Sequence, residues 1–400
     1  MRLKNFLLML LAAPLLSACF QAALMLAEGG IGGTGISTGV ITAFGSVFVN
    51  GVEYDTGTAT FTRDGMPVYR DRTEYHVGEY VTVKGKVNPD GVTGTATELV
   101  FNNVLEGPVT TVSADGVSLE IMGQTVRTNA LTVFHGFTIL TDLTAGKIVE
   151  VSGVRGANGD ITASSLTSTT NPNLEIYGTA LNVNISNQTF KIGNLTVNYT
   201  GALLSAGVPS NGQYLEVKST QALQAGVLMA SEVTLQEQYQ HFSEGTEVEI
   251  EGMITYFNSA TNFTVNGQSI TTNVQTQFED GTVNDLSVDA LVEVDGTVNA
   301  QGVLVADEVS IKQSASQPII EREGTVSSVD VGANTFVLAG DQNETVAINS
   351  ATLWLDEREA SGSFALDISQ LYGVKVELKA KRSNGRLLAL RVKLEDASDE

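Results

Sequence analysis

One cysteine, one tryptophan, three histidines and seven prolines in 400 residues leave little material for several kinds of chemistry. With Cys19 alone, no disulfide forms within the chain and no CxxC metal or redox motif exists. His76, His135 and His241 are scattered with no HExxH spacing, so no metal site is expected and each reads as a loop or surface residue. Basic residues are scarce too: 22 Lys and Arg against 45 Asp and Glu give a net charge of −23. A phosphate backbone needs a cationic surface before any base is read, so nucleic acid is disfavoured as a partner. Charged residues make up 17% of the chain and hydrophobic ones 42%, which argues against disorder and for a folded protein. What is abundant is Thr, Val, Gly and Asn, the residues of strands and tight turns.

The N-terminus carries Arg2 and Lys4, an apolar run from Phe6 to Leu16, and Leu16-Ser17-Ala18-Cys19. This is the pattern of a secretory signal, too short to span a bilayer as a stable helix. The tetrad resembles the lipobox of bacterial lipoproteins. The resemblance implies cleavage before Cys19, a diacylglycerol on its sulfur and usually an acylated new N-terminus. Two or three chains anchor stably where one does not. Phe20 in place of Asp implies that the inner membrane does not retain the protein, so an outer-membrane location in the cell envelope is expected. Without residues 1–18 the count falls to 20 basic against 45 acidic residues.

After a tether, 19–34, the sequence repeats. An alternating strand recurs as Val81-Thr82-Val83-Lys84-Gly85, Val149 to Gly153, Leu215 to Ser219, Val292 to Gly296 and Val374 to Leu378. Each is followed by a glycine turn, an alanine and an apolar residue three further on: Ala96 with Leu99, Ala163 with Leu166, Ala230 with Val233, Ala306 with Val309, Ala389 with Val392. Each unit opens with a hairpin, clearest at Asn50-Gly51 and Asn266-Gly267, where Asn-Gly supplies the positive φ pair of a type I′ turn. With short apolar segments such as Leu131 to Phe134 and Thr352 to Leu355, the pattern predicts about five strands per unit. The expected fold is all-β: five tandem small antiparallel barrels, OB-like in size and strand count, at 35–101, 104–169, 174–238, 244–313 and 320–395. They are expected in a row, stabilising one another at the joints. A β-solenoid is the competing arrangement. Helix is confined to a weak candidate, Asp356 to Leu371, and Trp354 reads as core.

Gly39-Val40-Ile41-Thr42-Ala43-Phe44-Gly45-Ser46-Val47-Phe48-Val49-Asn50-Gly51 resembles the opening of a repeated β-domain family of bacterial lipoproteins known only as a domain of unknown function. The resemblance implies location and architecture and brings no catalytic residues.

Several motifs have both a functional and a plain reading. Gly30 to Gly35 spells GxGxxG but follows the anchor rather than a strand, so it reads as tether. Gly35-Ile36-Ser37-Thr38-Gly39 spells GxSxG, which would make Ser37 a hydrolase nucleophile only on a strand-to-helix turn. The acidic loops Asp341 to Glu344 and Asp280 to Asp285 suit calcium, although Asp and Asn are also what turns require. Asp142, Asp285 and Asp367 read as local caps. Seven of the basic residues fall between Lys375 and Lys393, as a solvated strand face or a patch meeting another unit or an anionic polymer.

The expectation is a lipid-anchored envelope protein without catalysis or cofactor, displaying its units as a structural, adhesive or ligand-binding surface toward an envelope polymer, glycan or protein. The alternative is a small-ligand or glycan binder using an open barrel face, with Phe44, Phe48 and Tyr54 as stacking residues. A hydrolase comes third.

Overall fold

Strand-forming sequence with period-two alternation becomes strand throughout the computed structural model, which describes residues 33–44, 46–68, 74–156, 158–236, 242–313, 318–339, 344–349, 351–356, 358, 368–383 and 385–395. The signal segment, Cys19, His241, Asp341 and Asp367 lie outside these residues. Among the described residues there is no α-helix. Of the helix candidate, Asp356 ends a strand, Leu353–Asp356, and Ile368–Leu371 is a single 3-10 turn.

Unit 1 shows the plan. Its long first strand, Gly33–Phe44, pairs antiparallel with Val47–Val49, which pairs antiparallel with Val52–Asp55. Val52–Asp55 runs parallel to the last strand, Thr93–Phe101. That strand is antiparallel to Tyr80–Val87, which returns antiparallel to the first strand and closes the barrel. The strand order 1-2-3-5-4-1, with strands 3 and 5 parallel, is the Greek-key closure of an OB barrel. Units 2, 4 and 5 close by the same pairings, around Ile161–Thr169, Leu304–Gln313 and Arg386–Glu395. In unit 3 the first strand is broken into Leu174–Thr179 and Leu181–Asn184, and the last into Val227–Met229 and Glu232–Leu235. The short apolar segment is an addition to the five barrel strands. Val133–His135, Gln277–Glu279 and Leu353–Asp356 each lie parallel to their unit's last strand, beyond the third.

The recurring glycine and alanine mark a β-bulge. Register shifts where Gly85 meets Ala96, Gly153 meets Ala163 and Gly296 meets Ala306. A Cβ on these glycines would stand 3.0, 2.8 and 3.0 Å from the alanine Cα and closer still to the carbonyl oxygen before it. The bulge therefore excludes a side chain there. An Asn-x-x-Thr motif completes the device. Thr132, Thr276 and Thr352 donate their hydroxyls to the carbonyls of Ala163, Ala306 and Ala389 at 2.8, 2.7 and 2.9 Å. Asn129, Asn273 and Asn349 donate backbone N–H to those same hydroxyls. The Asn-Gly turns are as expected, with φ of 49° and 78° at Asn50-Gly51 and 47° and 87° at Asn266-Gly267.

The units are consecutive in sequence but do not form a simple row. Units 2 and 3 share one core, joined where Leu105 and Glu106 pair antiparallel with Ile176 and Glu175. Unit 1 meets unit 4, three units on, through a parallel pairing of Gly35 to Thr38 with Glu247 to Ile250. Leu353 of unit 5 and Val133 of unit 2 enter the core of unit 1, while Ala43 and Phe48 of unit 1 pack into that of unit 5. Trp354 is core.

If the bulge requires glycine, Gly85→Val destabilises the protein by about 1–3 kcal/mol through overpacking. A thermal melt of the variant that superimposes on the parent would contradict this account of the repeat.

Candidate functional site

Barrels are convex, and units 2, 4 and 5 meeting around unit 1 leave space between their outer faces. A cavity of about 410 Å³ is lined by units 1, 2, 4 and 5. Aliphatic side chains such as Val40, Leu131, Val154, Met253 and Leu390 alternate in its walls with polar ones, and three cations, Arg127, Lys312 and Lys381, are balanced by Glu251, Asp280 and Asp289. A second space of about 200 Å³ shares Tyr80, Gly153, Val154 and Asn266 with the first. At that boundary Asn266 Nδ2 donates to the Tyr80 hydroxyl at 2.7 Å, and Tyr80 N–H donates to Ser152 Oγ at 2.8 Å, tying units 4 and 2 to unit 1. Lys381 Nζ donates to the Ile311 carbonyl at 2.9 Å, tying unit 5 to unit 4.

Two buried polar joints lie where units meet. At the first, Arg63 of unit 1 donates to Glu79 Oε1 at 2.9 Å and to Glu150 Oε1 of unit 2 at 2.5 Å, with its guanidinium 4.1 Å from the Phe101 ring centre. Next to it Asp64 accepts from Asn103 N–H at 2.7 Å, and Lys218 of unit 3 pairs with Glu216 at 2.7 Å and Glu175 at 3.5 Å. Burial pushes Glu150 and Glu175 up to about 8 and Glu106 up to about 7, with neighbouring carboxylates adding to the rise. Glu79 is held low against its own burial, by the His76 contact and by Arg63.

The second joint lies between units 1 and 4. Glu249 sits opposite Asp295 across one strand pair, and Ser37 sits opposite Glu249 across the inter-unit pair. Ser37 Oγ donates to Glu249 Oε2 at 2.5 Å, and Asn50 Nδ2 donates to Ser37 Oγ at 3.3 Å. Glu249, Glu293 and Asp295 each offer a carboxylate oxygen within 4.8 Å of the others. Lys312 Nζ stands 3.5 Å from Glu293. Burial, then mutual repulsion, raises Glu249 and Asp295 well above the usual carboxylate range.

The residues singled out from sequence fall elsewhere. Phe44 and Tyr54 are in the core of unit 1, and Phe48 packs toward unit 5, so these rings fill interior space instead of lining an open barrel face. Ser37 lies within a strand, 2% exposed, and its hydroxyl is committed to Glu249, a setting unlike a nucleophile elbow. His76 and His135, from different units, meet with ring centres 4.9 Å apart and planes tilted by 41°. His135 is half-buried and its Nε2 contacts the Val77 carbonyl at 2.8 Å; desolvation depresses it to about 4. Asp142 and Asp285 are caps: each accepts backbone N–H bonds at the start of a 3-10 turn. The basic stretch is largely neutralised within its own sheet, where Lys375 meets Glu323, Lys379 meets Glu321 and Arg391 meets Glu377. Sequence reading missed Glu249, Glu293, Asp295 and Arg63. The first three lay in the alternating strands, on faces that alternation alone assigns to solvent.

A family model described as a domain of unknown function, DUF5666, matches residues 38–99, 106–167, 175–234, 251–310 and 323–393. No curated protein matches the chain. Five chains of solved structures do, among them one described as "drosophila Unr CSD456", 12% identical over 55% of this chain and 97% of that one, with a TM-score of 0.15. An overlap that low supports no argument.

Carboxylates with raised values hold protons in the folded state that the unfolded chain has released, so their contribution is complete at low pH and disappears as pH rises through the folded value. His135 acts in the opposite sense, but only below about its ordinary 6.5. Between pH 6.5 and 8.5 the melting temperature should therefore fall. A flat or rising profile there would contradict the buried acids at the joint of units 1 to 3. Arg63→Ala leaves Glu79 and Glu150 without their cation and should cost about 3–5 kcal/mol, measured by denaturation.

Proposed function

The chain belongs to the DUF5666 family, and from that premise we propose that it is a lipid-anchored, non-catalytic binding protein of the cell envelope whose ligand site is the space enclosed by units 1, 2, 4 and 5. The carrying observation is the cavity itself. Its volume is within the range of small-molecule sites, and aliphatic walls with a few convergent polar groups are what such sites present. The lining favours a molecule with an apolar body and at least one polar end, which Arg127, Lys381 or Glu251 can orient. Anchoring through Cys19 rests on the lipobox resemblance, and would hold this site next to the membrane. A second reading, an adhesive surface, draws on unit 3, where Leu181, Ile185, Leu203 and Val208 are exposed.

Cys19→Ser should move the protein from the membrane to the soluble fraction; retention in detergent-free membranes would refute anchoring. Protein isolated from envelope fractions should carry a small-molecule adduct by native mass spectrometry. Leu390→Trp, which fills the cavity, should remove it without loss of fold. An unliganded parent, or an adduct that persists in the variant, would refute the cavity reading.

A further inference from the structure

We propose that the joint between units 1 and 4 binds one hard divalent cation, calcium, through Glu249, Glu293, Asp295 and Ser310, and that this ion fastens unit 4 to unit 1. The donors are all oxygen, which suits calcium or magnesium and disfavours softer metals. Three carboxylates from two adjacent strands converge with donor atoms no more than 4.8 Å apart. Donors on a calcium sphere of about 2.3–2.6 Å radius are separated by up to roughly 5 Å, whereas a magnesium sphere of about 2.0–2.1 Å is smaller.

The convergence of acids is not the whole observation. Ser310 faces Glu293 across the strand pair Leu291–Val298 and Leu304–Gln313, so the two side chains share a face. Its hydroxyl is buried and makes no hydrogen bond, and the residue is 2% exposed. Glu249 Oε1 and Asp295 Oδ1 are likewise buried without a hydrogen-bond partner. Buried polar atoms in that condition are costly, and a bound ion is one partner that would satisfy them. Ser37 occupies the other oxygen of Glu249, which leaves Oε1 as the atom that needs a partner. Lys312 stands 3.5 Å from Glu293, and a divalent cation would add positive charge where several acids converge.

The geometry also locates the effect. Glu249 is contributed by the strand that pairs with Ser37 of unit 1, while Glu293, Asp295 and Ser310 come from deeper in unit 4. An ion here rigidifies the pairing strand from behind. It is a site in a joint, distinct from the acidic loops at Asp280 to Asp285, where Asp285 serves as a cap.

The test uses the whole protein, stripped with chelator and titrated with calcium chloride by isothermal calorimetry, with thermal melts in parallel. One saturable site and a melting temperature that rises with calcium concentration are expected. Asp295→Asn and Glu249→Gln should weaken binding at least 10-fold and abolish the calcium-dependent rise. Both variants relieve buried charge, so an unfolded product is not the expected outcome; a merely structural role would change their melting temperature equally with and without calcium. Terbium emission gives an independent readout, because Tyr54 lies beside Ser37 and should sensitise it. Tyr54→Phe should dim that emission while calcium affinity stays. Absence of saturable binding, binding unaffected by Asp295→Asn and Glu249→Gln, or binding lost instead in Asp280→Asn, would overturn the proposal.

Discussion

A closed barrel of this order leaves part of its first strand uncovered, and two of the joints between units, 1 with 4 and 2 with 3, are built on that edge. In each unit the first strand is longer than the hairpin that follows it. In unit 1 Val47–Val49 covers only Ile41 to Phe44, while Tyr80–Val87 covers the other side of Gly33 to Val40. The backbone groups of Gly35 to Thr38 that face away from Tyr80–Val87 would otherwise be free to pair with any strand. Glu247 to Ile250, the corresponding overhang of unit 4, takes that position. Units 2 and 3 use the same part of their first strands, paired antiparallel instead of parallel. One exposed edge, repeated by the sequence, is thus resolved in two geometries, and each removes a site of aggregation.

Covering an edge also covers the side chains beside it. Alternation in Val292-Glu293-Val294-Asp295 places two valines in the barrel and two acids outside. Once unit 1 lies against that outer face, the acids are buried almost as deeply as the valines, at 2% and 7% exposure. The same holds where unit 1 meets units 2 and 3, where Arg63 and Lys218 are the counter-charges as Lys312 is beside Glu293. The two joints solve one electrostatic problem. Breaking a buried ion pair is more costly than never having built it, so such joints favour a unique arrangement over sliding ones.

Much of this was legible in the residues, and the limit is physical. Period-two alternation, Asn-Gly turns and the spaced alanines report on contacts within about ten residues or within one unit, and those carry the barrel. The alanine repeat even encodes the bulge, since Gly85 and Ala96 are forced together by backbone approach. Asn129 to Thr132 and its counterparts were equally available in the sequence and equally local. What alternation cannot state is whether an outward face stays wet. Phe44 and Tyr54 fill a core and Phe48 meets unit 5, and the contacts between units join residues about 70 to more than 200 positions apart, from Lys381 and Ile311 to Ser37 and Glu249. No local period encodes a partner at that distance. The GxSxG letters around Ser37 mislead for the same reason: the hydroxyl serves a joint that lies outside the motif.

The cavity follows from the joints and not from any unit alone. Convex barrels cannot tile, so edge pairing on one side and core sharing on another leave a central space whose size is set by how far the bulged strands stand apart. Lys312 belongs to both regions, since it lines the space and stands beside Glu293. A charge placed on either side of Lys312 is therefore felt on the other, because one ammonium group borders both the central space and the acidic joint.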